Sequence, residues 1–413
     1  MAEMRRKTVK TLKRVLLLGL CLALLAGTAL AEEMVNIGTD GYDCLYCKCS
    51  LPDGRFIFAG SQAEAGHYND NHKARLVCMN PDGTVSWEYV DPEGICGMFC
   101  DTVVTEDGRI CTIFEDSPEQ ATQAMSLKFF TLDGKPDGKA VPLDFDWVFH
   151  YTLTPYGLFT DAFNYDKDIS DYIEFTAWNG RTLFRKNGGF PIRYQLFGSG
   201  IIAEEDGLVL SGREAANDGS AAKIMKIDYR GNIVWENTLP LQMDMGSADL
   251  YGCRKTRDGG YAAWLTETVG DNYETARQAA VRFSADGRTV SITEYTDEDE
   301  KAGKPIDPEL MTACGDKYVC QKDMIGGTDL SLDRTMVYGW YDAEGNELGT
   351  TEVVIRQADF PQFAKSREVD AFHSDVIAAG DSLWMPISIW AECDSFEKTQ
   401  ASYEAYIIRV PMP

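Results

Sequence analysis

A turn built on Asp-Gly or Gly-Asp returns about every 50 residues along this chain, each time between two strand-like runs. The first turns are Asp53-Gly54, Asp107-Gly108, the degenerate Tyr156-Gly157, Asp206-Gly207, Asp258-Gly259-Gly260, Gly315-Asp316 and Gly380-Asp381. A second turn follows most of them, at Asp82-Gly83, Asp133-Gly134, Asn179-Gly180, Arg230-Gly231, Asp286-Gly287 and Glu344-Gly345. Gly turns between short strands of mixed alternation are an all-β pattern, and its period is that of a repeated four-stranded unit. One such unit cannot bury its own core, so it must stack on copies of itself.

The first 31 residues read as an export signal. Arg5, Arg6, Lys7, Lys10, Lys13 and Arg14 form a basic n-region, Val15 to Leu25 an apolar stretch, and Ala29-Leu30-Ala31 a cleavage site. The apolar run falls short of the roughly 20 residues a spanning helix needs, although an uncleaved anchor is the competing reading. Leu18-Gly19-Leu20-Cys21 is a poor lipobox. No second apolar segment follows, so the mature chain is expected to have no integral membrane segment.

Cleavage takes six of the 39 basic and one of the 65 acidic residues, which leaves 33 against 64 and a net charge of −31. Such a surface repels nucleic acid, which needs clustered Lys and Arg. It suits solubility outside a cell, or attraction for cations and basic partners. Of the 12 cysteines, 11 remain after Cys21 departs, an odd number for a disulfide framework. Most sit inside strand-like runs, such as Cys78, Cys111 and Cys320, and are expected to pack as small apolar side chains.

The seventh unit has three strands after its neighbours' pattern, and the segment Glu33 to Thr39 supplies the fourth by pairing beside Tyr406 to Val410. The expected architecture is an all-β, seven-bladed β-propeller of antiparallel blades over residues 32–413, closed by that N-terminal strand. An open β-solenoid or two sandwiches are the alternatives. Links between strands two and three are longer and polar: Ser61 to Lys73, Asn164 to Asp171, Arg213 to Ser220, Val269 to Gln278, Met324 to Arg334 and Ala391 to Tyr403. All fall on one face of a meander, which makes that face the expected binding surface.

The run Asp228-Tyr229-Arg230-Gly231-Asn232-Ile233-Val234-Trp235 has an Asp-x-x-Gly-x-x-x-Trp spacing; Gly83-x-x-x-Trp87 and Gly180-x-x-x-Phe184 keep parts of it. In this the chain resembles secreted bacterial propellers of the PQQ-like or WD40-like repeat superfamily. The resemblance implies that Trp87 and Trp235 dock one blade on the next. It does not imply the quinone, since quinoprotein dehydrogenases of this kind use adjacent cysteines and none are adjacent here. Asn80-Pro81-Asp82-Gly83-Thr84 does not match a sialidase Asp-box.

Counting seven residues back from the first-turn glycines reaches Cys47, Asp101, His150, Gly200, Cys253 and His373. If the first strand lines a central channel, Cys47, Asp101, His150, Cys253 and His373 form a ring of candidate ligand-binding residues at its mouth; packing against neighbouring blades is the bland alternative. Cys44, Cys47 and Cys49 have the look of a metal knuckle, but strand parity sets Cys44 opposite the other two, and a disulfide to Cys96 or Cys100, or simple packing, competes with zinc. No nucleophile elbow, phosphate loop or dinucleotide fingerprint occurs. The expectation is a monomeric, exported, non-catalytic protein without cofactor. It binds a protein or carbohydrate through the long-loop face, with Tyr68, Trp147, Tyr165, Tyr273 and Trp390 as contact aromatics. A glycan-acting hydrolase or lyase, and an envelope scaffold, are the alternatives.

Overall fold

The computed structural model describes residues 33–39, 42–63, 72–93, 97–116, 124–143, 147–164, 169–187, 190–192, 201–216, 219–239, 246–269, 274–296, 298–299, 307–328, 331–360, 368–373, 376–379, 382–393 and 400–411, in some strands by backbone alone. The expected leader, residues 1–31, lies outside them. Strand β1 (Glu33–Asn36) precedes the first unit. Unit one is β2 (Tyr42–Ser50), β3 (Phe56–Ala63), β4 (Lys73–Met79) and β5 (Val85–Val90). Unit two is β6 (Gly97–Val104), β7 (Ile110–Asp116), β8 (Ala124–Phe130) and β9 (Val141–Pro142), and unit three β10 (Trp147–Thr154), β11 (Gly157–Asn164), β12 (Ile169–Ala177) and β13 (Thr182–Asn187). Unit four is β14 (Ile201–Glu204), β15 (Gly207–Ala216), β16 (Gly219–Asp228) and β17 (Ile233–Thr238). Unit five is β18 (Gly246–Lys255), β19 (Tyr261–Val269), β20 (Glu274–Phe283) and β21 (Thr289–Tyr295). Unit six is β22 (Thr312–Cys314), β23 (Lys317–Thr328), β24 (Ser331–Tyr341) and β25 (Glu347–Ile355). The chain ends in β26 (Glu368–His373), β27 (Ile377–Ala379), β28 (Ser382–Cys393) and β29 (Gln400–Pro411).

Each of the six units is an antiparallel meander in chain order, with one parallel bridge, Ser220 to Ser247, joining units four and five. In the last sheet β26 and β27 both pair with β28, β28 pairs with β29, and β29 with β1. There Val35 lies opposite Ile407 and Met34 opposite Ile408, the partners expected for the N-terminal strand. The molecule is thus nearly all β, in four-stranded antiparallel sheets consistent with a propeller. Strands two and three of a unit are covered on both faces and read as short apolar runs, as in Phe56-Ile57-Phe58-Ala59, every one of them buried. Fourth strands are partly exposed, and there polar residues alternate in, as in Val85-Ser86-Trp87-Glu88.

The long polar links prove to be shorter than the sequence reading expects. In unit four Arg213 pairs with Ala222 and the ladder continues to Ala216 opposite Gly219. In unit six it continues from Met324 opposite Met336 to Thr328 opposite Ser331. Ladder pairs also reach Val269 opposite Glu274 and Cys393 opposite Gln400. Polar residues there belong to paired hairpin arms rather than to loops. Residues 64–71 of the first link, and Tyr68 with them, lie outside the described residues. Gly157 and Gly207 are likewise the first residues of β11 and β15 rather than left-handed turn positions.

Apolar clusters bridge one unit to the next. Phe58 and Val77 of unit one share a cluster with Trp384 and Ile407 of the last sheet, and Ile57 and Leu76 share another with Phe99 and Phe130 of unit two. Similar clusters join units two and three through Ile113 and Leu158, three and four through Phe175 and Leu208, four and five through Val209 and Leu265, and six and the last sheet through Trp340 and Met385. On the outer side of three of these seams an aromatic of one fourth strand covers a turn glycine of the next unit. A Cβ on Gly134 would sit 2.5 Å from the Trp87 ring, on Gly231 2.9 Å from Phe184, and on Gly287 2.3 Å from Trp235. Trp87 also donates its indole N–H to Leu132 O at 3.0 Å.

Gly287 combines this close approach with φ +77°, a conformation side chains rarely adopt. Gly108 has φ +81° and open space around it. Gly108→Ala should cost about 1–2 kcal/mol from backbone strain alone, and Gly287→Ala about 1–3 kcal/mol more from displacing Trp235. Urea midpoints of the two variants measure the difference; equal losses would mean that the indole does not constrain the turn.

Candidate functional site

The five positions of the expected ring fall at interruptions of the first strands. The β2–β3 register shifts between Cys47 and Cys49, β6–β7 between Phe99 and Thr102, β10–β11 between Val148 and His150, and β18–β19 between Tyr251 and Arg254. Asp101 and Cys253 are therefore bulge residues, Cys47 and His150 flank a bulge, and His373 ends β26 just before the break to β27. A bulge interrupts strict alternation: Cys47 lies opposite Phe58 and Cys49 opposite Ile57, so the backbone register does not keep the even spacing on which their shared parity was expected.

Asp101 bridges units: its carboxylate accepts from the Thr102 N–H at 2.9 Å and, at 3.4 Å, from the Leu153 N–H of unit three. Cys253 is buried at 2% exposure within the cluster that joins units four and five. The side chains of Cys47, His150 and His373 lie outside the described residues, as do those of Trp147 and Trp390 and the whole of Tyr165 and Tyr273. Among the described residues no group of three or more His, Cys, Asp or Glu is placed to hold a metal.

Eight cysteines are described, all as free thiols. Burial pushes Cys49 and Cys253 up to about 12 and Cys78 and Cys314 up to about 11. Thiols so placed are poor nucleophiles and serve as packing.

Charged side chains form clamps at both ends of the strands and along the seams. Glu204, at the end of β14, accepts from Lys226 of its own unit at 2.8 Å and from the Tyr261 hydroxyl of unit five at 3.0 Å. Burial pushes the Glu204 carboxyl up, but the hydrogen bonds from Lys226, Lys255 and Tyr261 outweigh it and hold it below the usual range. On unit one, Asp43 is fully buried and accepts from Arg75 at 2.7 Å; burial dominates and raises its carboxyl.

The seam between units five and six differs from the rest. Its small cluster, Met311, Tyr318 and Tyr341, contains no unit-five residue, and its contacts are polar. Arg254 donates to Met311 O at 2.7 Å, and Arg282 makes two 2.6 Å bonds to Asp307. The docking aromatic is missing too, for the residue four after Gly287 is Ser291, opposite Arg282, and Gly345 of unit six is faced by Pro308. One row further along, unit one sets Ala59, Leu76 and Tyr89 side by side, with Leu76 and Tyr89 filling the seam. Unit five has Trp264, Ala280 and Thr293 in that row.

Smaller side chains leave a recess of about 240 Å³ over Ala280. Trp264 and Tyr295 line it, their rings edge to face at 5.6 Å, along with Thr293, Arg282, Asp307 and Glu344. Asp307 is held twice over, by Arg282 and by the N–H of Glu309 at 3.0 Å in the 3-10 turn Pro308–Leu310. Glu294, also on the wall, accepts from Arg277 at 3.1 Å. The expected ring and this recess share no residue.

No family model matches the chain, and no curated protein matches it. Among solved structures it is similar to a prolyl endopeptidase, at 12% identity and TM-score 0.43 over 89% of this chain and 50% of that one. This chain spans about half that enzyme's length. It is similar to a subtype N11 neuraminidase-like protein of A/flat-faced bat/Peru, at 11% identity and TM-score 0.39 over 92% of each chain. A eukaryotic initiation factor is similar at 10% identity and TM-score 0.40, over 92% of this chain and 98% of that one.

The buried thiols fix the sign of an alkaline effect. In the unfolded chain they ionise near the ordinary thiol value of 9.0, whereas Cys253 in the fold stays protonated to about 12. Stability should therefore be insensitive to these groups below about pH 9 and fall as pH rises from there toward 12, where the unfolded state holds fewer protons. Cys253→Ala should make that decline shallower, read from urea midpoints across the alkaline range. An unchanged slope would show that Cys253 ionises freely in the fold.

Proposed function

We propose that this chain is an exported, non-catalytic binding protein: a closed seven-bladed propeller of the PQQ-like or WD40-like kind, monomeric and without cofactor, that holds a protein or carbohydrate partner on the face carrying the hairpin arms. Residues 1–31 direct export and are removed. Support for closure comes from the apolar cluster shared by unit one and the last sheet, and from β1 lying beside β29. The aromatic–glycine contacts at Trp87 and Trp235 support the superfamily reading.

The observation that carries the binding reading is the inequality of the two ends of the strands. At one end the links are tight turns, such as Thr256–Gly260 and Ser284–Arg288, each drawn in by backbone bonds of 2.8–3.0 Å. At the other, paired arms run past the fourth strands, as in unit four, where β17 stops opposite Lys223 while the hairpin continues to Ala216. Such arms on a rigid base present edges and side chains to a partner.

The test shortens the arms of units four and six, joining Arg213 to Ala222 and Ile325 to Thr335 by Asn-Gly turns, and measures binding on glycan and surface-protein arrays. The shortened protein should stay folded, its melting temperature lowered only by loss of the Ser220–Ser247 bridge, and lose its partner by at least about tenfold, roughly 1.4 kcal/mol. Turnover of an arrayed glycan, or full binding after trimming both arms, would sink the reading.

A further inference from the structure

The recess between units five and six points to a second site, built from residues other than those of the hairpin arms. The turn that carries Glu344 and Gly345 follows β24, whereas the hairpin arm precedes it, so the recess and the arms lie at opposite ends of that strand. We propose that the recess binds one neutral sugar residue, packed against Trp264 and hydrogen-bonded by the charged wall.

Three observations converge on that class of ligand. The space is small: about 240 Å³ lies below the ~300–1,000 Å³ of sites for drug-sized molecules, so one ring enters and a folded peptide segment does not. The wall offers donors and acceptors together. Arg282 and the Thr293 hydroxyl supply N–H and O–H groups, while Asp307 and Glu344 supply carboxylate oxygens. A sugar hydroxyl both donates and accepts, so it uses both kinds; an ammonium group uses acceptors only, and an anion donors only.

Charge argues the same way. Arg282 is matched by Asp307, so the wall's cation is already balanced and a neutral ligand meets no strong field from it. This ion pair also fixes two polar groups in place before a ligand arrives, which lowers the ordering cost of binding. Trp264 then supplies a flat apolar surface for the C–H face of a pyranose, with Tyr295 set edge-on beside it.

The experiment titrates the full mature protein with methyl glycosides of neutral hexoses and follows tryptophan emission and heat of binding. At least one glycoside should bind with a dissociation constant on the order of 1 mM and shift the emission. Ala280→Leu, which copies Leu76 of unit one and removes no polar group, should weaken binding at least about tenfold with the melting temperature kept. Should Ala280→Leu fail to fold, Glu344→Gln on the exposed turn serves in its place and should weaken binding about threefold or more.

Binding of choline or a methylated-lysine peptide in preference to every glycoside would overturn the proposal. So would no glycoside binding, or binding that neither variant changes. The variant with shortened arms should bind the glycoside as the parent does, so loss of the hairpin-face reading leaves this result standing.

Discussion

An aromatic ring lying on a neighbour's turn glycine is the contact on which the serial arrangement of units rests. A four-stranded sheet whose middle strands are apolar on both faces needs cover on both faces, and only another unit supplies it. The apolar clusters give that cover along the strands, but they are non-directional. The Trp87–Gly134 and Trp235–Gly287 contacts set how far one unit lies from the next, because a Cβ at either glycine would fall within 2.5 Å of the indole. The glycine is thus demanded twice, by its left-handed backbone and by its neighbour's side chain. Where the aromatic is replaced, as by Ser291, the seam is held by guanidinium–carboxylate pairs instead and a recess remains.

The basic side chains tell a related story. In a chain so rich in acids, half-buried cations are each held by two carboxylates: Arg75 by Asp43 and Glu88, Lys128 by Asp91 and Glu93, Lys226 by Glu204 and Asp206. Several of these clamps cross from one unit to the next, as Lys128 does to Asp91 and Lys255 to Glu204. Cations engaged in this way do not contribute to a surface that attracts polyanions.

Period and turn chemistry made the strand order legible, since Gly83, Gly134, Gly180, Gly231, Gly287 and Gly345 all take the left-handed conformation that a side chain resists. The pairing of Val35 with Ile407 was legible for a different reason: the last unit was one strand short and the N-terminal segment had nowhere else to pair. Arm length was not legible. Solvated strand and solvated loop have the same polar composition, and only pairing separates Arg213–Ala216 from a loop. Bulges were also hidden, because no residue type marks them: Cys47 lies opposite Phe58 and Cys49 opposite Ile57, and only the register reveals Lys48 as the extra residue. The recess could have been suspected from the break in the aromatic series at Ser291, but its floor depended on Ala280 lying opposite Trp264, a matter of register that no local pattern supplies.

The sheet that holds both β1 and β29 has a temporal consequence. Its outermost ladder joins Glu33 to Arg409, residues far apart in the sequence, so the last sheet stays one strand short until both segments have been made and brought together. Pairing across so long an intervening segment carries a large closure entropy and is intrinsically slow. Until it happens β29 presents a bare edge to other chains. The interval before that pairing is therefore the period of greatest exposure to mispairing, and a Glu33–Asn36 segment that pairs early with anything else would leave that edge open.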